Sequence, residues 1–518
     1  MIRTPEATSG SEARRALQAA ATQRLHPLSW LFILLQQLRT FALPIVLLLV
    51  SGRGEQNPAE LAGLAGAGVL AVLAVWQYFT YRYGFVGRAL VIRSGLLQRN
   101  LRLIPFDRVQ NVSLHQNLLH RLAGVAEVRL ESAGGGAGET EARMQVLRLV
   151  QAHALEALVR AKPIRSENES EATPETPAQR WLHLPTRELV RLGLISNRGM
   201  LVVAAAFGLL SQAGERVLGE ASNAVIDAGR QGLALAEGWQ PGPLAWTLGG
   251  IALLLALLVL VRLLSVLLAI LQFHDFQLWA GQRELRVERG LFSRMRSHLP
   301  KRRIQAYALR ESLLHRWFER QSLRIDQTSI AIPGETSLRD LVPLAPPATM
   351  ATVLGHLLPD AAWPPDRWQG LHPRAWWRVF APTALGLLAL SAVLAVWRGP
   401  EAAWLLLVLP LLALRAVLWA RYSAWSLEQG VFTFRQGWLN RHWRFVETAK
   451  VHVVALRQTP FDRHHGMASV QVDTQGASPL EPALFVPYLP AAEARALAEA
   501  LRAAMPYDAG INRARTAE

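Results

Sequence analysis

A 36-residue segment occurs three times in this chain, and no other feature restricts the possible fold as strongly. Residues 95–130 align without a gap with residues 290–325, at a shift of 195 positions, with 12 of 36 identities. A shift of 342 positions, onto residues 437–472, also gives 12 identities. Unrelated segments of average composition share about two or three. The sequence therefore predicts three copies of one domain.

Each copy of the segment follows two long apolar stretches. Apolar residues make up 51% of the 518 residues, a high share for a soluble protein, and the mean hydropathy is +0.17. A bilayer core needs about 20 consecutive apolar residues in a helix. The pairs run from Leu28 to Val50 and Leu61 to Tyr81, from Met200 to Leu218 and Leu244 to Phe273, and from Trp376 to Trp397 and Ala402 to Trp419. They predict about six transmembrane helices in three pairs, with buried helices of a soluble protein as the alternative.

The distribution of charge predicts which side of the membrane the copies occupy. The loops between paired stretches are residues 51–60, 214–244 and 398–401, with net charges of −1, −2 and 0. They sum to −3 in a chain of net charge +16, which leaves +19 for the rest. Because positive charge concentrates on the cytoplasmic side, both termini and all three domains are expected there. Because this bias accounts for the positive net charge of the chain, we do not expect nucleic acid as a partner.

Each copy alternates short apolar runs with turns and ends in a helical pattern. Residues 89–97 read as strand, turn and strand, with Gly95 suited to a turn that needs positive φ. Residues 152–161 and 493–505 read as closing helices of the first and third copies. The predicted fold class is α+β, a small β domain with a C-terminal helix after each pair of spans.

Four positions carry the same residue in all copies, namely a glycine, two arginines and a leucine, and we assign a structural role to the glycine and to the second arginine. The glycines are expected in turns, whereas the recurrence of the arginines indicates a structural role without specifying a contact. They are Gly95, Gly290 and Gly437, and Arg121, Arg316 and Arg463.

The repeated motifs resemble those of the bacterial pleckstrin-homology-like (PH-like) membrane family, in particular its three-domain YdbT type. The resemblance rests on Ile104-Pro105, Arg108-Val109-Gln110 and the run from Gln116 to Gly124, with a matching run in the second copy. The third copy departs from the pattern, with Glu447 at the proline position and Pro460-Phe461 in place of the leucine pair. The resemblance covers most of residues 24–507.

The resemblance implies a bent two-sheet β structure closed by a helix and a multi-pass location in the bacterial cytoplasmic membrane. It implies no reaction, since the family has no established one, and we expect neither an enzyme nor a cofactor. Some members are linked to envelope stress and tolerance of antimicrobial peptides, a role that reaches this chain only by analogy.

The predicted domain organisation follows from the repeat and the spans. It comprises a cytoplasmic tail (1–24), transmembrane pair 1 (25–84), PH-like domain 1 (85–162), a flexible linker rich in Pro, Glu and Ser (163–180), transmembrane pair 2 with a long outer loop at 214–244 (181–275), PH-like domain 2 (276–360), transmembrane pair 3 (371–422) and PH-like domain 3 (423–507).

The densest basic cluster lies in the second copy and is the candidate site for anionic lipid headgroups, each basic residue contributing about 1 kcal/mol near such a surface. Ordinary cytoplasmic positive bias is the alternative. The residues are Arg283, Arg286, Arg289, Arg294, Arg296, Lys301, Arg302 and Arg303.

Arg262 is a charge inside the fourth apolar stretch, where it needs a partner or water. It raises the possibility of a transporter or channel-like component that moves lipids or peptides, although an interhelical bond or snorkelling explains it as well. The histidines at positions 442, 452, 464 and 465 lack the spacing of a metal site, and no metal is expected. No P-loop, nucleophile elbow or metalloprotease motif occurs.

The function predicted from these features is a non-enzymatic membrane scaffold whose repeated domains bind membrane lipids or partner proteins. A smaller PH-like membrane protein and self-association are the protein partners considered. The transporter is the alternative.

Overall fold

The computed structural model describes residues 22–37, 58–95, 100–106, 109–132, 142–160, 179–212, 219, 223, 227, 242–327, 339–361, 363–474 and 484–505. The chain divides into two compact units, Met1–Leu299 and Pro300–Glu518. The second copy of the repeat crosses this division. Its first strands therefore belong to unit 1 and its last strands to unit 2.

Unit 1 begins its β structure with a three-stranded antiparallel sheet in the order β1-β2-β3. Its strands are β1 (Arg82–Val86), β2 (Ala89–Ser94) and β3 (Asn100–Pro105). Leu90, Val91 and Ile92 of β2 are buried, as expected for a run of branched apolar residues in a covered strand. β3 forms one edge of this sheet.

A seven-stranded antiparallel sheet completes unit 1 and joins strands of two copies. Its order is β6-β5-β4-β10-β9-β8-β7. The strands are β4 (Val109–Gln116), β5 (Val125–Ser132), β6 (Ala142–Arg148), β7 (Gln179–His183), β8 (Gln277–Ala280), β9 (Glu284–Arg289) and β10 (Arg294–Pro300). The first copy supplies β4 to β6 and the second supplies β8 to β10, so the β4–β10 pair is the junction between them.

The core of the first copy lies between its two sheets and its closing helix. Two helices belong to this domain, α2 (Leu118–Leu122) and α3 (Leu149–Arg160), and a longer helix, α1 (Pro58–Thr80), precedes it. Leu90, Ile104, Leu114, Leu130 and Leu155 belong to one buried cluster, drawn from both sheets and α3. This is the PH-like arrangement that the resemblance implied.

Three further helices of unit 1 carry apolar surface. They are α4 (Thr186–Ile195), α5 (Arg198–Gln212) and α6 (Pro243–Phe273). Residues 247–260 of α6 are all exposed, and most are leucine, isoleucine, valine or alanine. A continuous apolar surface of this kind is suited to lipid rather than water.

Unit 2 repeats the same pattern of sheets. A seven-stranded antiparallel sheet has the order β13-β12-β11-β17-β16-β15-β14, and a three-stranded sheet has the order β18-β19-β20. The strands are β11 (Ile304–Glu311), β12 (Gln321–Gln327), β13 (Asp340–Ala345), β14 (Gln369–Gly370), β15 (Ala424–Glu428), β16 (Val431–Gln436), β17 (Arg441–Glu447), β18 (Val451–Arg457), β19 (Met467–Thr474) and β20 (Leu484–Pro490). The β11–β17 pair joins the second and third copies, and β18 forms one edge of the last sheet.

The helices of unit 2 include closing helices for the second and third copies, α8 and α12. The helices are α7 (Leu313–Trp317), α8 (Pro347–Leu357), α9 (Ala375–Arg398), α10 (Leu409–Tyr422), α11 (Pro460–His464) and α12 (Ala491–Ala503). Short 3-10 helices lie at Lys301–Arg303, Pro400–Val408 and Thr448–Lys450. In α12, Ala494, Leu497 and Leu501 are buried at a spacing of three to four residues, so one face of the helix closes the third domain.

The prediction of six spans in three pairs is not confirmed. Within the described residues, the helices long and apolar enough to cross a membrane are Thr247–Phe273, Ala375–Arg398 and Pro400–Tyr422. A fourth span is added if α4 and α5, which meet at a bend of 57°, count as one. The third predicted span starts at Met200, whereas helix α5 starts at Arg198. α5 follows the amphipathic helix α4, and the polar side chains of α4 kept it out of the apolar stretch from which the span was predicted.

The first pair is only partly described. Residues 29–37 are helical, and residues 38–50 of the first predicted span lie outside the described residues. α1 covers nearly all of the second predicted span, although the apolar segment recognised in it, Gly68–Thr80, is shorter than a bilayer core requires. Residues 163–178 of the predicted linker also lie outside the described residues, and residues 179 and 180 begin β7 rather than belonging to a linker.

Candidate interaction surface at the sheet edges

The first junction is the antiparallel pair of β4 and β10. Arg294 lies opposite Gln116, and Ser297 lies opposite Ser113. Both serines are buried, so the junction is covered on the face that they occupy. Because strands bond along their edges, this pairing satisfies backbone groups that each copy alone leaves open.

The repeated arginine of the first copy crosses the same junction. Arg121 Nη1 donates to the backbone oxygen of Leu291 at 3.1 Å, the residue after the repeated Gly290. Ser293 Oγ lies 3.1 Å from Asn117 Oδ1 in the same contact. Asn117 is the N-cap residue of α2, and the ring of His120 accepts from the Asn117 backbone N–H at 3.4 Å. The cap orients α2, and α2 in turn positions Arg121.

A buried ion pair adds to the first junction. His298 Nε2 of β10 lies 2.6 Å from Glu156 Oε1 of α3, and both side chains are buried. Burial raises the pKa of Glu156, but the hydrogen bonds and charge of His298, with a further contact to His153, outweigh it and lower the pKa to about 2. The carboxylate is therefore ionised at neutral pH.

The second junction repeats the arginine contact of the first. β11 and β17 pair antiparallel, with Glu311 opposite Arg441. Arg316 Nη1 donates to the backbone oxygen of Trp438 at 3.3 Å, again the residue after a repeated glycine. Arg444 of β17 forms an ion pair with Asp326 on β12. Arg121 and Arg316 thus make equivalent contacts from one copy to the next.

The repeated glycines occupy the turn between the second and third strands of each copy. Their φ angles are +118° at Gly95, +110° at Gly290 and +81° at Gly437. A Cβ atom at Gly290 would lie 2.0 Å from the Ser293 backbone oxygen, and one at Gly437 would lie 2.2 Å from that of Asn440. Both the positive φ and the close backbone approach require glycine.

The residues of the predicted basic cluster fall into two groups, those with partners inside the fold and those that are more accessible to solvent. Arg286 and Arg296 both pair with Glu288, at 2.5 Å and 2.9 Å. Arg289 is buried and stacks over the ring of Phe273 at 4.9 Å. These three arginines therefore have structural partners within the fold.

The remaining members of the cluster are more accessible. Arg283, Arg294 and Arg302 are exposed, with Arg294 4.0 Å from Asp275. Lys301 and Arg303 are half-buried, and burial lowers the pKa of Lys301. Residues 301–303 belong to unit 2, whereas the other members of the cluster belong to unit 1.

Arg262 bonds to the break between α4 and α5. Its Nη1 donates to the backbone oxygens of Leu194 and Ser196 at 3.2 Å and 3.3 Å, and to Asn197 Oδ1 at 3.1 Å. The last carbonyls of a helix lack partners within it, so a cation placed there is favourable. These interhelical bonds account for the position of Arg262 without a transported substrate.

No group of three potential metal ligands occurs among the described residues. The rings of His464 and His465 lie 5.0 Å apart at the C-terminal end of α11.

Two features of these junctions were not predicted from the sequence. The short strands β7 and β14 extend the seven-stranded sheets beyond β8 and β15. The joining of neighbouring copies through β4–β10 and β11–β17 was also missed, because pairing between distant edges has no local signal. In the repeat, shared residues such as the leucines at positions 114, 309 and 456 lie on the strands that pair.

Apolar helices long enough to span a bilayer, together with PH-like domains joined edge to edge, define a membrane protein built from repeated modules. A family model described as "Bacterial PH domain" matches residues 31–163, 232–357 and 380–505. These ranges cover most of the chain, which therefore belongs to the bacterial PH domain family. It is a transmembrane protein with three such domains.

The chain is also similar to transmembrane protein YdbT of Bacillus subtilis (strain 168). The two are 22% identical over 491 residues, which cover 89% of this chain and 94% of the relative. No solved structure matches the chain.

Proposed function

We propose that this protein is a non-enzymatic membrane scaffold whose PH domains bind partner proteins through the edges of their sheets. One observation carries the proposal: the chain uses the same edge-to-edge pairing twice to join its own domains. An edge strand that pairs in this way is a general mode of recognition between proteins. Among the described residues, β3 and β18 each form one edge of a three-stranded sheet and pair with no further strand, so we take both edges as available.

The proposed setting is the cytoplasmic membrane of a bacterium, with the domains and both termini in the cytoplasm. The charge bias of the loops supports this orientation. A role in envelope stress or in tolerance of antimicrobial peptides is part of the proposal and is supported by analogy with the family alone.

Photocrosslinking in intact membranes tests the scaffold. A photoreactive amino acid replaces Leu103 on β3 or Val453 on β18, both of which are exposed. Glu499, on the exposed face of α12, serves as the control position. We expect protein adducts from the two edge positions and not from the control. Absence of adducts at both edges would refute the proposed function.

Anionic lipids are a second candidate ligand, supported by the exposure of Arg283, Arg294 and Arg302. Apolar side chains on the short helix of each copy support lipid contact as well, since Leu122, Trp317 and Phe461 are all exposed. In the third copy this helix adjoins a span, because Asp462 of α11 pairs with Arg378 of α9 at 2.8 Å.

Native mass spectrometry of the purified full chain tests the lipid candidate. The doubly substituted variant R283E/R302E should retain fewer phosphatidylglycerol molecules than the unchanged chain, and added salt should reduce the difference. The variant R495E/R502E, at two exposed arginines of α12, provides a control with an equal change of surface charge elsewhere. Equal lipid retention in all three proteins would exclude headgroup binding at these arginines.

A further inference from the structure

We propose that β18 at the end of the third copy pairs with β3 of the first copy in a second molecule, so that chains associate head to tail in the membrane. The inference rests on the proposed function and specifies the partner. Both halves of the required interface are present in one sequence, because β18 is equivalent to β4 and β11, and β3 is equivalent to β10 and β17.

The two junctions inside the chain share one register. The pair Arg294–Gln116 in the first junction corresponds to the pair Arg441–Glu311 in the second when the repeat shifts of 147 and 195 positions are applied. Register in a sheet is fixed by which side chains must face the core. A third junction of the same kind is therefore specified by the same shifts.

Those shifts give the pairs of the proposed contact. They place Leu103 of one chain opposite Val454 of the next, Arg102 opposite Ala455 and Leu101 opposite Leu456, following the pairs of Phe445 with Tyr307, Arg444 with Ala308 and Trp443 with Leu309.

Exposure of one shared leucine distinguishes the formed junctions from the open end. Leu114 is 4% exposed and Leu309 is fully buried, at 0%, whereas Leu456 at the equivalent position of β18 is 42% exposed. Burying an apolar side chain of this size stabilises a contact. The third copy therefore retains a side chain suited to a junction, and no strand among the described residues covers it.

The opposite edge of the proposed contact, strand β3, shows the same contrast in exposure. Leu103 of β3 is 47% exposed, whereas His298 and Phe445 at the equivalent positions of β10 and β17 are 5% and 3% exposed. Apolar residues on an open edge strand favour pairing with another chain unless something blocks them. Leu103 and Leu456 are thus exposed on complementary edges.

Charge complementarity supports the same partner. Arg444 pairs with Asp326 across the second junction. The equivalent residues of the open edges are Arg102, which is exposed, and Asp473, and both residue types are conserved between these copies of the repeat. Asp473 Oδ1 is buried and accepts no hydrogen bond from the residues that the structure describes. Such an atom is costly to leave without a partner, and Arg102 of a second chain would supply one.

The proposed contact joins two different surfaces, so it is heterologous. Such contacts produce closed rings when the rotation between subunits closes and open rows when it does not. The proposal concerns the contact itself, whichever of these assemblies results.

Disulfide trapping in membranes tests the contact directly, because the chain contains no cysteine. One tagged chain carries L101C and a second, differently tagged chain carries L456C. After mild oxidation we expect a covalent dimer with both tags, about twice the chain mass of 57.3 kDa. The register control replaces L456C with R457C, whose side chain points to the opposite face of the strand.

A cysteine pair inside one chain shows whether a negative result concerns only the head-to-tail contact or the pairing of sheet edges in general. Arg310 and His442 lie opposite each other in the second junction, so R310C/H442C should form an intramolecular disulfide. If this disulfide forms and the mixed chains give no dimer, pairing of sheet edges stands and head-to-tail association is overturned. Head-to-tail association is also overturned if R457C gives as much dimer as L456C. It is overturned as well if a chain carrying both L101C and L456C forms the disulfide only within itself.

Charge exchange supplies a second test that does not depend on oxidation. In a two-tag pull-down, R102D chains should recover R102D chains, and D473R chains should recover D473R chains, about tenfold less than unchanged chains recover each other, because both possible contacts then place like charges together. Mixing R102D with D473R chains should restore recovery, because both possible contacts then pair opposite charges. Recovery that stays low in this mixture would contradict a second copy as the partner. Photocrosslinking adducts at Val453 that contain only a different protein would contradict it too.

Discussion

The glycine that all three copies share adopts a backbone conformation that other residues rarely adopt. We expect G290A and G437A each to lower the free energy of unfolding by about 1–3 kcal/mol, because the added Cβ meets a backbone oxygen and φ is positive. Thermal unfolding in detergent measures the loss. G355A is the matched control, because a Cβ there has no neighbour within 4 Å and Gly355 lies in α8. Equal melting temperatures for G290A and G355A would contradict this assignment.

The buried pair of Glu156 and His298 makes the first junction sensitive to acid. The folded-state pKa of Glu156 lies at about 2, below its ordinary value of 4.5. Its stabilising contribution is therefore present above pH 4.5 and is lost as the pH falls towards 2. The contribution is about 3 kcal/mol at most.

Substitution of the pair tests this contribution. We expect E156L alone to destabilise the protein by about 3 kcal/mol, since it leaves the buried His298 with Glu284, 3.7 Å from its Nδ1, as its remaining carboxylate neighbour. E156L/H298F should recover most of that loss, because Phe445 is the equivalent buried residue of the second junction. Thermal unfolding between pH 5 and pH 3 should show a smaller acid effect in the double variant. An unchanged acid effect would show that other groups cause it.

The conformation of a single residue could be predicted from the sequence where it depends only on its neighbours in the chain. The positive φ of the glycines follows from a glycine between two strands, and Gly95, Gly290 and Gly437 all have it. The contact of Arg121 with the Leu291 backbone oxygen could not be predicted, since its acceptor is 170 positions away and has no side-chain signature.

At the scale of elements, the bend between α4 and α5 is held against α6 by small and polar residues. A Cβ at Gly193 would lie 2.3 Å from Val266 Cα, so the helices approach closely. Ser265 Oγ accepts from the Gly199 backbone N–H at 2.8 Å, and Arg262 bonds the carbonyls at the break. Since α6 has 31 residues and a bilayer core takes up about 20, a span that begins at Pro243 ends close to Arg262.

Arg262 is therefore expected to stabilise the bend. R262L should lower the free energy of unfolding by about 1–3 kcal/mol, because it leaves the carbonyl groups of the break without their donor. R262K keeps the charge but offers no planar group of donors, and it should lose less. Thermal unfolding and limited proteolysis between α4 and α5 measure both effects. A melting temperature of R262L equal to that of the unchanged chain would refute this role.

Elements of the β domains were predicted where the apolar alternation is regular, as in the strand around Leu90. The bend between α4 and α5 was not, because α4 has Arg187, Glu188 and Arg191 among its apolar residues and so does not read as part of a span. β14 has two residues, too few for any pattern.

At the scale of the whole molecule, orientation in the membrane is the first property to test. A cysteine at Glu401, between α9 and α10, should react with an impermeant thiol reagent added to intact cells. A cysteine at Arg283, in the second PH domain, should react only after the cells are permeabilised. The reverse pattern would contradict the cytoplasmic placement of the domains.

The repeat was visible in the sequence, but the way in which its copies join was not. Identities at fixed shifts reveal three domains of one kind, and the family comparison confirms them. Whether neighbouring domains share a sheet depends on edges such as β4 and β10, which lie about 180 residues apart in the sequence and could equally face solvent.

The central claim is that neighbouring PH domains are joined by strand pairing in a fixed register, and one disulfide measurement tests it most directly. Ser113 and Ser297 are buried and opposite each other in the first junction. Paired residues of an antiparallel sheet have Cα atoms about 4.5–5.5 Å apart, a separation that a disulfide can bridge. In otherwise cysteine-free chains, S113C/S297C should oxidise to an intramolecular disulfide and S113C/R296C should not. Equal oxidation of both variants, or of neither, would contradict the pairing.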